Sequence, residues 1–227
     1  MIQFRSVASG RAAGERGFTL VELLVVLGII SILVSILVPA AWSALKTARQ
    51  TAATASSHGI GQLMTQYGLD NGQYPDAASS TDAFKLLISK GYLSSADVFY
   101  LPNGGQTKFK GTSPGTNLTA NNVSWDICGV NGTGANSGPV GLSVNAPEEI
   151  PVVFSTGGTV SIPQQAGPGS ATCSATGPLG TDGLAVTYKD NHSTFAKIDS
   201  GAGTYSISDF IAGSFDPKGV VYVQRKP

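Results

Sequence analysis

Polar and apolar positions are distributed very unevenly along the chain. From Phe18 to Val38 (FTLVELLVVLGIISILVSILV) the sequence is apolar apart from Thr19, Glu22, Ser31 and Ser35. As a helix rising 1.5 Å per residue, a run of about 21 residues is roughly 32 Å long, enough to cross a hydrocarbon layer. No later stretch comes close, so the pattern predicts one membrane entry near the start. Beyond Pro39 the apolar positions fall into a helical period: Trp42, Leu45, Ala48, Ala52, Ala55, Ile60, Leu63 and Tyr67 mark one small, apolar face. Lys46, Arg49, Gln50, Thr54 and Ser57 mark the opposite one, which predicts an amphipathic helix outside the membrane. Gly59 and Gly61 weaken that helix, and the tract Gly68-Leu69-Asp70-Asn71-Gly72-Gln73-Tyr74-Pro75 ends it.

A second, short helix is expected over Ser80 to Lys90, with Ser80 or Thr81 as N-cap, Phe84, Leu87 and Ile88 on one face, and Gly91 as the stop. From about Val98 the texture changes to short β-branched runs between Gly, Ser, Thr and Asn. Strands are expected near Val123 to Cys128, Pro151 to Phe154, Thr159 to Ile162, Gly183 to Lys189, Thr194 to Ile198 and Val220 to Gln224. Ser208 to Ile211 is a brief helix candidate. Lys189-Asp190-Asn191-His192 reads as the turn of a hairpin, with Asn191 suited to a left-handed backbone. The fold class is α+β: a long N-terminal helix, half transmembrane and half amphipathic, on a small antiparallel β domain.

Ahead of the apolar run stands MIQFRSVASGRAAGERG, where Arg5, Arg11 and Arg16 face a single acid, Glu15. Such a basic segment suits the cytoplasmic side of a membrane. A secretory signal peptide cut near Val38-Pro39-Ala40 is the alternative, although an apolar region of this length is long for that role. Glu22 bears on the choice, because a carboxylate inside a span costs about 3 kcal/mol on insertion scales and needs a partner. The span itself holds no Lys, Arg or His. The partner is therefore expected from outside it, and a free α-amine at Phe18, cationic at neutral pH, would serve.

The residues Gly17-Phe18-Thr19-Leu20-Val21-Glu22, with basic residues before them and the apolar run after, resemble the type IV prepilin signature. The resemblance implies that a membrane peptidase removes the leader 1–17 by cutting between Gly17 and Phe18, and that Phe18 is then methylated. It also implies that Glu22 neutralises a neighbouring subunit's N-terminus during assembly, and Pro39 matches a helix-kinking proline of the family. The domains expected on this basis are the leader, a transmembrane and filament-core helix over 18–38, its amphipathic continuation over 39–74, and an extracytoplasmic α+β domain over 75–227. The stretch from Tyr67 to Pro75 resembles that of the major pseudopilins of type II secretion systems. The hairpin around Asp190 is similar to the C-terminal one of a pilin-like group abundant in planctomycetes, with Asn191 where that group has glycine.

The implied function is a structural subunit of a pilus-like filament, first a type II secretion pseudopilin and alternatively a type IV pilin for adhesion, motility or DNA uptake. A secreted or membrane-anchored binding protein is the third reading. The implied partners are further copies of the chain, minor pilins, the prepilin peptidase, an inner-membrane assembly platform with its ATPase, and membrane lipid before assembly. The expected location is the inner membrane with the domain in the periplasm, then a periplasmic pseudopilus or a surface pilus.

Composition narrows the chemistry. Lys and Arg number 14 and Asp and Glu 14, so bulk positive charge offers no grip on nucleic acid. Cys128 and Cys173 are the only cysteines, and a disulfide between them is plausible outside the cytoplasm. It would close a loop of about 45 residues, worth roughly 4 kcal/mol in the chain-entropy model. The alternative is two buried thiols. His58 and His192 have no second histidine nearby in sequence to complete a metal set, and no enzyme motif is found. No cofactor is expected beyond a possible calcium ion, implied by the pseudopilin resemblance, for which Asp199, Asp209 and Asp216 are the oxygen candidates. The sequons at Asn117, Asn122, Asn131 and Asn191 are expected to be accidents of composition.

Overall fold

A computed structural model describes residues 17–131, 139–199 and 205–227. The basic leader with Arg5, Arg11, Glu15 and Arg16 lies outside the described residues. The chain divides into two compact units, Met1–Lys46 and Thr47–Pro227. Helix α1, Leu20–Asn71, belongs to both, and it runs on through Pro39. Proline brings no amide to the Ser35 carbonyl. In the first unit every described side chain is exposed, from Phe18 through Lys46. The hydroxyls within it turn back on their own helix: Ser31 Oγ donates to the Leu27 carbonyl, Ser35 Oγ to Ile32 and Ser43 Oγ to Ala40. Side-chain oxygens that satisfy themselves this way are compatible with lipid.

In the second unit α1 packs on the β domain, but through a face rotated from the one the periodicity suggested. Ala53, Ser57, Ile60, Gly61, Met64, Tyr67 and Gly68 are buried, whereas Ala48, Ala52 and Ala55 are exposed, as are Trp42 and Leu45 in the first unit. The reason is size. A Cβ on Gly61 would stand 2.5 Å from Cγ2 of Thr187, so the small and hydroxylated positions are where the helix backbone comes closest to the sheet. Ser57, placed on the polar face by its chemistry, is fully buried. The helix ends where expected, at Asn71, followed by Gly72 with φ +80°. The left-handed conformation that stops a helix falls readily to glycine.

Helix α2 spans Ser80–Ser89. Its cap is Ser79, one or two residues before the expected ones: Ser79 Oγ accepts the Asp82 amide at 3.1 Å. Ser80 and Thr81 are buried inside the helix instead. Phe84 and Leu87 point into the core, where Phe84 stacks on Phe99 with ring centres 4.2 Å apart.

Among the described residues nine strands follow: β1 Trp125–Asn131, β2 Pro139–Val140, β3 Pro151–Ser155, β4 Gly158–Ser161, β5 Gly169–Cys173, β6 Gly183–Tyr188, β7 Ser193–Lys197, β8 Ser206–Ile211 and β9 Tyr222–Arg225. A six-stranded antiparallel sheet runs β2-β1-β3-β6-β7, with β9 on the other edge of β1. A three-stranded one runs β4-β5-β8. Strands β3 and β6 are buried along their whole length, and β7 at the edge is only half covered. The core gathers Trp125, Phe84, Phe99, Phe154, Phe210 and Phe215. The fold is thus α+β, a long N-terminal helix on antiparallel sheet.

Three expectations are corrected here. Ser208 to Ile211, the helix candidate, is strand β8, because Ile207 and Ile211 bury against β5. Strand β5 was not expected at all; its inward residues are Gly169, Ala171 and Cys173, which give little β signal. Cys128 and Cys173 are free, buried thiols in different sheets, not a disulfide. Gln224 pairs with Cys128 and Gly158 with Cys173, and between those two pairs runs a Gln224 Nε2 to Gly158 carbonyl bond of 3.1 Å. Burial pushes the Cys128 thiol up to about 12 and the Cys173 thiol up to about 11, so both stay protonated and unreactive while the domain is folded.

Candidate functional site

The N-terminus of α1 carries the first constellation. Thr19 is the residue before the helix and Glu22 lies in its first turn. Glu22 Oε2 accepts from the Thr19 amide at 2.9 Å and from Thr19 Oγ1 at 2.8 Å, while the Glu22 amide donates to Thr19 Oγ1 at 3.2 Å. This reciprocal pairing satisfies amides that a helix start leaves open. The carboxylate therefore has a partner inside the run, where none was expected. The sequence signal for it is the spacing Thr-x-x-Glu, that of a capping box rather than of an ion pair. Gly17 and Phe18 precede the helix, and Phe18 is 82% exposed, so the peptide bond between them is uncovered.

The second constellation joins α1 to the β6–β7 hairpin. The turn forms as expected, with Asn191 at φ +67°, its amide on the Tyr188 carbonyl at 2.9 Å, and His192 stacked on Tyr188. Behind the turn, hydroxyls line up in a row whose direction can be worked out. Ser57 Oγ donates to the Thr54 carbonyl at 2.9 Å, so it must accept from Thr187 Oγ1 at 3.0 Å. Thr187, having spent its proton, accepts from Ser193 Oγ at 2.7 Å, and Ser193 in turn accepts from Nδ1 of His58 at 3.0 Å. Nε2 of His58 is left as the acceptor for the Gln62 amide at 3.1 Å. Each hydroxyl has one proton, so the carbonyl at the end fixes every step.

That direction decides what the Ser193–His58 pair can do. A nucleophilic serine gives its proton to the imidazole, which requires a ring nitrogen with a free lone pair facing it. Here the ring presents an N–H to Ser193, and the serine proton is committed to Thr187. The row fastens the helix to the hairpin and does not activate a nucleophile.

The remaining candidates are spread apart. Asp199 accepts from the Ser208 amide at 2.6 Å and from the Ser208 hydroxyl, and Asp216 closes a turn on the Lys218 amide at 2.9 Å. Asp209 sits on β8, and its side chain lies outside the described residues. Among the described residues no three of His, Cys, Asp and Glu come together in a way that could hold a metal ion. The sequon asparagines have local work. Asn117 Nδ2 bonds the Thr112 carbonyl, Asn122 makes a capping box with Thr119, and Asn131 accepts from Arg225.

The end of α1 is tied down by tyrosines. Tyr92 donates to Asp70 at 2.8 Å and stands against Tyr67, while Asn71 Nδ2 bonds the Tyr67 carbonyl at 2.8 Å. Tyr74 pairs its hydroxyl with Thr65 at 3.1 Å, and its amide donates to the Leu142 carbonyl at 2.8 Å. The Tyr67 to Pro75 stretch is thus a clasp between helix end and domain.

Comparison with known proteins bears on the first constellation. Residues 13–38 match the family model described as the prokaryotic N-terminal methylation motif. Over 59 residues the chain is 41% identical to the type IV wide pilus major component PilA4 of Thermus thermophilus. That stretch is 26% of this chain and 45% of the relative, so the match spans less than half of the relative's length. No solved structure matches the chain. The chain thus carries the prokaryotic N-terminal methylation motif, and over part of its length it is similar to a type IV pilus component.

Proposed function

We propose that the chain is a structural subunit of a type IV pilus-like filament. The observation that carries this is the coincidence of the methylation motif with a helix whose described side chains, Phe18 to Val38, are all exposed. An apolar surface of that extent needs a cover, lipid before assembly and other subunits after it. The leader would be cut between Gly17 and Phe18 by a prepilin peptidase and Phe18 methylated. The subunit would wait in the inner membrane with its β domain in the periplasm. An ATPase-driven platform would then extrude copies into a fibre, capped or primed by minor pilins. Glu22 would exchange Thr19 for a neighbour's N-terminal amine, a charged partner that repays the carboxylate's presence in an apolar core better than a neutral one.

The printed name of the Thermus relative supports a pilus. The resemblance of the Tyr67 to Pro75 stretch to that of the major pseudopilins supports the other reading, a pseudopilin of a type II secretion system. Mass spectrometry of the mature N-terminal peptide, from membranes and from sheared fibres, with and without the prepilin peptidase, tests both. A peptide beginning with N-methylated Phe18 that disappears without the peptidase supports the subunit reading, and its presence in sheared fibres favours a surface pilus. A chain that keeps Met1 or begins near Ala41 would overturn it.

A further inference from the structure

Gln224 of β9 reaches out of the larger sheet into the smaller one. Its Nε2 donates to Asp126 Oδ2 at 2.5 Å and to the Gly158 carbonyl at 3.1 Å, while its Oε1 accepts the Val160 amide at 3.0 Å. Gly158 and Val160 belong to β4, so one carboxamide stitches β4 to β1 and β9. Asp126, at the foot of this stitch, is fully buried in β1 opposite Phe154, and its Oδ1 has no hydrogen-bond partner. A buried carboxylate whose oxygens are not both satisfied carries a large desolvation cost.

Its surroundings do little to hold the charge. On β9 and just beyond it, Arg225 spends its guanidinium on the Val130 carbonyl and Asn131, and Lys226 exerts a small attraction. From β3 come Phe154 and Ser155, and from β4 Gly158, none of them charged. Cys128, two residues along β1, holds its proton. Burial pushes the Asp126 carboxyl up to about 6, against the hydrogen bond of Gln224 and the weaker pulls of Thr156 and Lys226.

We propose that Asp126 is a proton-operated stay between the two sheets: on taking a proton it loses its buried charge while Oδ2 remains an acceptor for Gln224, so that mild acid stabilises the globular unit. The sign follows from linkage. The folded group binds its proton at a higher pH than the unfolded one, so stability is gained as pH falls from about 7 towards 4 and the penalty is fully present above that window.

The test uses the full chain in detergent micelles. Relative to Asp126→Asn, which carries no charge at any pH, the wild-type thermal midpoint should rise by about 4 °C between pH 7.5 and 5. Exchange of the Val160 amide, corrected for its intrinsic pH dependence, should slow over the same interval in wild type alone. Parallel midpoints for the two proteins would overturn the proposal. Should Asp126→Asn fail to fold, the carboxyl carbon resonance of Asp126 in wild type decides: a midpoint near 6 supports the stay, and one at an ordinary aspartate value overturns it.

Discussion

Helix α1 has two parts of different character. Through Arg49 its side chains are exposed, Leu and Ile included, whereas from Ala53 onward one face is closed off by the β domain. In the first part the large residues are on the outside and interchangeable in kind. In the second the positions that matter are a glycine, a serine and an alanine, because the approach of backbone to sheet is set by what is missing from the helix surface. An exposed apolar surface distinguishes the first part, and shape docks the second.

The sharpest way to test that contrast is to compare a truncation in the exposed stretch of α1 with one in the core of the β domain. Phe84→Ala, which removes a buried ring stacked on Phe99, should cost about 4 kcal/mol. Leu27→Ala, in the exposed stretch, should leave unfolding of the β domain in detergent within about 0.5 kcal/mol of wild type. Paired glycines come next. Gly61→Val drives a branched side chain into Thr187 and should cost about 2–3 kcal/mol, whereas Gly59→Ala, with open space around it, should stabilise by about 0.5–1 kcal/mol. Denaturant melts in one detergent would compare all four.

Smaller effects refine the picture. Tyr188→Phe strips the donor from a 2.6 Å bond to the buried Phe210 carbonyl and should cost about 1–2 kcal/mol. Thr19→Ala should cost about 1 kcal/mol, confined to the first turn of α1, and is read as faster amide exchange near Glu22 with no change in the β domain's melt. A loss spread through the domain would break the separation drawn between the two parts.

Much of this was legible from residue order. The apolar run, the helix stop at Gly72 and the left-handed turn residue Asn191 each follow from strong local preferences, and the structure has them. Strand β5 and the true inner face of α1 were hidden for a common reason: Gly169, Ala171, Ala53, Ser57 and Gly61 are inside because they are small, and residues so small mark no face of a strand or of an alanine-rich helix. At the N-terminus, Gly17, Phe18 and Glu22 were readable as a motif, but the Thr19 partner of Glu22 was passed over because attention went to charge. The row from Gln62 to Ser57 could not be seen, since it joins residues up to 135 positions apart.

The two thiols give each sheet its own sentinel. A membrane-permeant alkylating reagent finds no thiolate on the closed domain, so adduct formation counts openings. Cys128, on a strand flanked on both sides, would be modified only when the whole domain comes apart. Cys173, at the end of β5, would also record the lesser event in which the small sheet lifts away. The ratio of the two rates would then time the parting of the sheets in a living cell, with no label added to the chain.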